Sequence, residues 1–362
     1  MSEKTRIAVA GAGAIGLAHI GVLRRSATCT LSAIVDPAPA AAAVAVAEQA
    51  RVPLYASLDE LIERDRPDGV ILATPNSMHV PQALLCIDAG LPTLLEKPIA
   101  PTVVEAVRLV QAVESSRAKL LIGHHRAHST IMARARDVVQ SGVLGKLVAV
   151  MGSATFFKPD AYFADAPWRR EVGAGPILMN MIHEVHNLRL LCGEIVAVQA
   201  FASNATRGFA VEDTVAINLR FASGALGTFM LSDTAACARS WEQTSQENKD
   251  YPSYDDEDCY VIAGTFGSLS VPTMRLKTYA KAEDRSWFKP FQRGVAAVVR
   301  DDPLACQLEH FGAVIRGEAE PLVSARDGLA NLRITQAIVE AAKTGCVVDT
   351  SASEANREKE PA

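Results

Sequence analysis

The sequence predicts an α/β protein in two parts. A doubly wound parallel sheet comes first, and an α+β domain with a largely antiparallel sheet follows. Three observations carry this reading. Strand and helix patterns alternate through roughly the first 125 residues. The turn Gly11-Ala-Gly-Ala-Ile-Gly16 joins the first apolar strand to the first helix. After residue 146 strands succeed one another, and Ala216-Ile-Asn-Leu-Arg-Phe221 alternates with period two, as a sheet with one wet face should.

In order, Ile7 to Ala10 is a buried strand, and Ile15, Ala18, His19, Val22 and Leu23 recur at helical spacing. Leu31 to Val35 is a second apolar strand, ending at Asp36. Pro39 to Ala50 is alanine-rich and helical by propensity. Leu54-Tyr-Ala56 is a short strand, and Ser57 caps the helix that follows. Val70 to Ala73 ends at Thr74-Pro75-Asn76, and helix 80–89 closes at Gly90. Strand 93–95 ends at Glu96-Lys97-Pro98, helix 102–117 follows, and strand 119–122 ends at Gly123-His-His-Arg126. Helix 131–139 then connects to strand 146–156, an aromatic loop through Tyr162 and Trp168, and helix 176–192. Strands 195–202, 214–221, 225–233, 259–263 and 267–271 come next, and helices 304–315 and 325–343 finish the fold.

A chain of 362 residues is long for one core. The division read from the pattern is a dinucleotide-binding domain over 1–125, an α+β domain over 126–350 and a loose polar tail over 351–362. Hydrophobic content of 49% and charged content of 21% fit a soluble globular enzyme. The net charge of -5, with only isolated pairs such as Arg24-Arg25, argues against nucleic acid as a partner. The N-terminal residues before the first strand are too few for a signal peptide, and nothing is long enough to span a membrane. Seven cysteines without a C-x-x-C pair read as reduced thiols. The expected location is the cytoplasm.

The glycine turn has a chemical reading. Gly11 permits the tight turn, Gly13 lets a pyrophosphate approach the backbone, and Gly16 lets helix and strand pack closely. The main chain from Gly13 through Ala14, Ile15 and Gly16 opens the helix, whose free N–H groups and dipole hold phosphate without a cation. Asp36 stands about 20 residues on, at a strand end, where a carboxylate binds ribose hydroxyls. It would repel a 2'-phosphate, and Asp36-Pro-Ala-Pro-Ala40 offers no Arg or Lys to receive one; the predicted cofactor is NAD rather than NADP. Lys97 lies on the ligand edge of the sheet. There, partly desolvated beside a nicotinamide cation, it would have a lowered pKa and exchange a proton with a hydroxyl. In helix 176–192, Asn180 and His183 are three apart and share a face. His183-Glu-Val-His186 is H-E-x-H rather than H-E-x-x-H, and no third ligand stands out, so no metal is expected.

Gly11-Ala-Gly-Ala-Ile-Gly16, Asp36, Thr74-Pro75-Asn76 with His79, Glu96-Lys97-Pro98, Gly123-His-His-Arg126 and Gly173-Ala-Gly175 before His183 resemble the glucose–fructose oxidoreductase / inositol dehydrogenase family (Gfo/Idh/MocA). The resemblance runs to about residue 348. It implies a Rossmann domain followed by a large open-faced sheet domain. The implied activity is hydride transfer between NAD(P) and a carbinol or ketone carbon of a sugar, cyclitol or related polyol. By position, Lys97 is the proton-transferring lysine and His183 bonds the reacting oxygen. Glu96 lies under the nicotinamide ribose, Thr74, Asn76 and His79 line the cofactor cleft, and His125 sits near the nicotinamide. Substrate candidates are Arg126, Tyr162, Trp168, Arg169, Asn180, His183 and Trp241 of the polar insert 235–258, whose acidic run 255–258 reads as a solvated surface.

Two positions depart from the family pattern. Inositol-dehydrogenase-like members carry Asp four residues before the helix histidine, where this chain has Met179, and Asp three residues after it, where this chain has His186. Asn180 orients a substrate oxygen but is no base near neutral pH. Other readings keep the cofactor: dihydrodiol dehydrogenation, imine reduction, an isomerase or hydrolase cycle on retained NAD, or NAD binding without catalysis. A homodimer or homotetramer is implied by the resemblance alone.

Overall fold

The protein is described here by a computed structural model covering residues 4–351; the tail from 352 lies outside the described residues. The elements of the first half are β1 (Thr5–Ala10), α1 (Ala14–Leu23), β2 (Cys29–Val35), α2 (Ala41–Ala50), β3 (Leu54–Tyr55), α3 (Leu58–Arg64), β4 (Gly69–Leu72), α4 (His79–Asp88), β5 (Thr93–Glu96), α5 (Val103–Ser116) and β6 (Leu120–Gly123). The second half has α6 (Thr130–Gln140), β7 (Leu147–Phe157), α7 (Asp160–Ala164), α8 (Ile182–Cys192), β8 (Ile195–Ser203), β9 (Thr214–Phe221), β10 (Leu226–Ser232), β11 (Thr234–Arg239) and α9 (Trp241–Thr244). It closes with β12 (Tyr260–Gly264), β13 (Gly267–Val271), β14 (Arg275–Thr278), β15 (Gln292–Val295), α10 (Pro303–Arg316), α11 (Ala325–Thr344) and β16 (Val348–Asp349).

The described residues form two compact units, 4–128 with 302–332, and 129–301 with 333–351. In the first unit a six-stranded parallel sheet has the order β3-β2-β1-β4-β5-β6. β4, β5 and β6 are buried from end to end, and β1 and β2 at all but one residue each, because helices cover both faces, so these strands read as apolar runs. The order reverses between β1 and β4, the crevice where ligands bind in such sheets. The carboxyl ends of β1, β4 and β5 carry the glycine turn, Thr74-Pro75-Asn76 and Glu96-Lys97-Pro98. Local chemistry sets the helix starts: the Ser57 and Thr102 side chains accept the Glu60 and Glu105 N–H groups, as N-caps should.

Sequence order places residues 302–332 in the second domain, but the structure returns them to the first unit. Leu308 and Phe311 of α10, with Val323 and Leu329, belong to the core of the parallel sheet. Gly69 records the contact: a Cβ there would sit 2.6 Å from Ile315 Cδ1.

The second unit carries a ten-stranded sheet, β15-β14-β13-β12-β7-β10-β9-β8-β16, with β11 added on β7. All its pairs are antiparallel except β10 with β7. In β9 alternate residues, including Ile217 and Leu219, are buried while Ala216, Asn218 and Arg220 are exposed. Strands β11, β14, β15 and β16 have no sequence signal, being short or at edges and defined by what they pair with. The helix expected over 176–192 opens as a π-helical turn, Ile177–Met181, before α8. Among the described residues no helix is long and apolar enough to cross a membrane.

Candidate active site

The glycine turn is built as the motif requires. Gly11 has φ +86°, and a Cβ on it would lie 2.5 Å from the Ala73 carbonyl oxygen. A Cβ on Gly16 would lie 1.9 Å from the Gly11 carbonyl oxygen, so only glycine lets α1 leave β1 at this angle. Gly13 is different: nothing lies within 4 Å of its ideal Cβ, which leaves open space at the N-terminus of α1. No side chain caps that terminus, so its first N–H groups remain available to an anion. Ala14 and Ile15 are exposed there. Asp36 is fixed beside the turn, its two oxygens accepting the N–H groups of Ala12 and Ala38, each at 3.0 Å. Open backbone, an uncapped helix and a fixed carboxylate fit a dinucleotide's pyrophosphate and ribose.

At the end of β5, Glu96 is buried, and Lys97, in the cis Lys97–Pro98 dipeptide, is half-buried. His19 Nε2 donates to Glu96 Oε1 at 2.8 Å. Read in the sequence as one more residue of a helix face, His19 is therefore a partner of the lysine loop. His125 follows β6 and adds its charge to the field at Glu96. Thr74 is half-buried, its hydroxyl donating to Gln82 Oε1, while Pro75 and Asn76 are exposed. His79 departs from expectation. It is 1% exposed and wedged between carbonyl oxygens, Nδ1 2.7 Å from Pro98 O and Nε2 2.9 Å from Thr74 O. It ties the two ligand-edge loops together from inside, and burial pushes its pKa down.

In the second unit, Gly173 has φ +98°, and Gly175 makes room for Glu212: a Cβ would meet its carboxylate at 2.3 Å. Glu212 accepts the Ile177 N–H at 2.9 Å and so holds the start of the π turn; burial pushes its carboxyl up. Asn180 lies in that turn, and His183, 8% exposed, lies in the first turn of α8. Lys158, at the end of β7, donates to Asn180 Oδ1 at 2.9 Å and pairs with buried Asp233 at 3.3 Å. Burial lowers the Lys158 pKa despite Asp233. Arg207 also pairs with Asp233, at 3.2 Å. The Tyr162 ring carries Arg169 at 3.8 Å and Lys158 at 5.1 Å, and exposed Trp168 lies 5.6 Å from Arg169. Three predicted substrate residues, Tyr162, Arg169 and Asn180, are thus gathered around Lys158, a lysine that sequence reasoning missed, and Trp168 lies beside Arg169. The available signal was a lysine closing a strand directly after Phe156-Phe157.

Residues 5–124 match the model described as the oxidoreductase family with an NAD-binding Rossmann fold, and residues 132–270 match the GFO/IDH/MocA C-terminal domain. The chain belongs to the Gfo/Idh/MocA oxidoreductase family. Among similar family members, the inositol 2-dehydrogenase of Corynebacterium glutamicum is 31% identical over 154 residues, covering 42% of this chain and 46% of that protein. The chain thus aligns with less than half of that relative. The 1,5-anhydro-D-fructose reductase of Ensifer adhaerens is 28% identical over 302 residues, 80% of this chain and 81% of that one. The WlbA dehydrogenase of Chromobacterium violaceum, solved with NADH and UDP-GlcNAcA, superposes with TM-score 0.76 at 25% identity, over 96% of both chains.

Two further expectations, those for Trp241 and for the acidic run, need revision in this Gfo/Idh/MocA chain. Trp241 does not face a ligand: it is 1% exposed, its ring 6.0 Å from that of Tyr260 and its Nε1 donating to Glu247 at 2.9 Å. A polar partner inside the insert lets this indole join the core. Arg126 is 7% exposed, in the 3-10 turn after β6. The acidic run is not wholly solvated: Asp258 is 3% exposed, accepts the Thr273 N–H at 3.0 Å and pairs with Arg275.

Proposed function

We propose that this protein is an NAD-dependent dehydrogenase moving a hydride between nicotinamide and a carbinol or ketone carbon of a sugar, cyclitol or related polyol. One observation carries the reading: Lys97 directly follows β5 at the sheet edge where β1 presents the glycine turn and β2 presents Asp36. Bound NAD supplies the hydride acceptor. Lys97, as the amine, takes the proton of the substrate hydroxyl, and as the ammonium returns it in the reverse direction. His183 donates a hydrogen bond to the reacting oxygen and stabilises the negative charge that develops there. Lys158 has only donors, so Asn180 presents its oxygen to Lys158 and keeps its amide N–H groups for a substrate oxygen. The reading includes a homodimer or homotetramer; it is supported by Leu226 and Met230 of β10, exposed with neighbouring Met151 of β7.

Two results are expected. Asn180→Ala should raise KM for the polyol about tenfold with kcat within a few-fold, since a hydrogen bond made alike in ground and transition states acts on KM. Lys158→Met should move KM the same way. Initial-rate kinetics check both, and an unchanged KM in each variant removes Asn180 from the substrate site. Asp36→Ser should shift preference toward NADP by one to two orders of magnitude, on the order of the cost of juxtaposed like charges. Titrations with both dinucleotides measure it; a native protein that binds NADP as tightly as NAD contradicts the role of Asp36.

A further inference from the structure

Glu96 precedes the proposed catalytic lysine, and both its oxygens are engaged inside the protein. Oε1 accepts from His19 Nε2 at 2.8 Å, and Oε2 accepts the Lys97 main-chain N–H at 3.2 Å. Glu96 is 5% exposed and His19 1%. The carboxylate is also packed against β6, where a Cβ on Gly123 would lie 3.0 Å from it. A buried carboxylate persists only when paired and hydrogen-bonded. We propose that His19 is a positioning residue for Lys97: it fixes the Glu96 carboxylate against the lysine loop and, through it, sets the charge environment of the Lys97 side chain. The inference rests on the reading of Lys97 given above.

Burial alone would push the Glu96 carboxyl up. The His19 hydrogen bond, with the charges of His19, Lys97 and His125, outweighs burial and holds it below the usual range. The charged groups around it are therefore His19 from α1, Lys97 itself, His125 from the turn after β6, and His79 from α4, which senses both Glu96 and Lys97. An ionised Glu96 favours the ammonium form of Lys97. Without the His19 donor, burial acts on the Glu96 carboxylate with less opposition, its fixed position against the lysine loop is lost, and the ammonium has a weaker negative neighbour. The helix that opens at the glycine turn thereby also supports the lysine.

Acylation of Lys97 by acetic anhydride in the full-length chain, followed across pH by mass spectrometry, reads the lysine without requiring turnover. His19→Leu and Glu96→Gln should each lower the labelling midpoint by about one pH unit, the loss of one nearby opposite charge. His19→Gln keeps an N–H donor and should leave the midpoint near native. A native midpoint in His19→Leu, or equal shifts in His19→Leu and His19→Gln, overturns the proposal. If His19→Leu does not fold, Glu96→Gln decides: an unshifted midpoint overturns the proposal and a lowered one supports it. Full turnover in Lys97→Met would sink the catalytic reading while leaving the labelling result intact.

Discussion

Replacing Lys97 by methionine is expected to lower kcat on the order of a thousandfold, the scale of a positioned acid or base, with the NAD dissociation constant within about threefold of native. Methionine keeps a flexible apolar stem of similar length, so the packing of a half-buried side chain survives, but it has no atom that accepts a proton. Lys97→Arg sharpens the test. Arginine retains the positive charge and cannot give up its proton near neutral pH, so it should lose as much kcat as methionine. If the lysine instead served only as an electrostatic anchor, arginine would restore most of the activity. Stopped-flow turnover and fluorescence titration with NADH separate chemistry from binding. Native turnover in the methionine variant, or a loss of kcat matched by an equal loss of cofactor affinity, rejects the proton-transfer role.

What the sequence reveals of this molecule follows the reach of each signal. The parallel sheet is legible because its strands are buried on both faces and become apolar runs such as Val70-Ile-Leu-Ala73. The glycine turn and Asp36 are legible because a backbone close approach and a strand-end carboxylate are local requirements. Pairings across the chain are not. His19 looks like one residue of an amphipathic helix, and its partner Glu96 lies 77 positions away. Lys158 looks like a strand terminus, and Asn180 lies 22 positions on. The amphipathic pattern of α10 gives its apolar face but not the core it joins, so sequence order alone leaves 302–332 with the elements before it, while α10 packs on the parallel sheet. Trp241 sits among polar neighbours that hide its burial, because one of them, Glu247, satisfies the indole N–H. The π turn before α8 has no signature in a helical periodicity; it is visible only with Gly175 and Glu212 side by side.

Alanine at Gly13 and alanine at Gly16 are expected to fail in opposite ways, although both break one motif. Gly16 is a packing position: the added methyl would overlap the Gly11 carbonyl oxygen at 1.9 Å, a backbone atom held by the Gly11 φ of +86°. Relief requires α1 to move off β1, through a core that includes Ile20 and Leu23. Gly16→Ala should therefore cost about 3 kcal/mol of stability, at the upper end for overpacking, and lose dinucleotide binding as a consequence. Gly13 has φ -72° and an empty surround, so alanine fits the free protein without strain. Gly13→Ala should match or slightly exceed native stability, by up to about 1 kcal/mol through the unfolded chain. It should weaken NAD binding about a hundredfold, because the methyl occupies the space through which the pyrophosphate reaches the helix N-terminus. Urea unfolding and NADH titration on the same two variants measure both halves. A Gly13→Ala protein that binds NAD with native affinity places the phosphates elsewhere, since no other property of that glycine separates it from an ordinary helix cap.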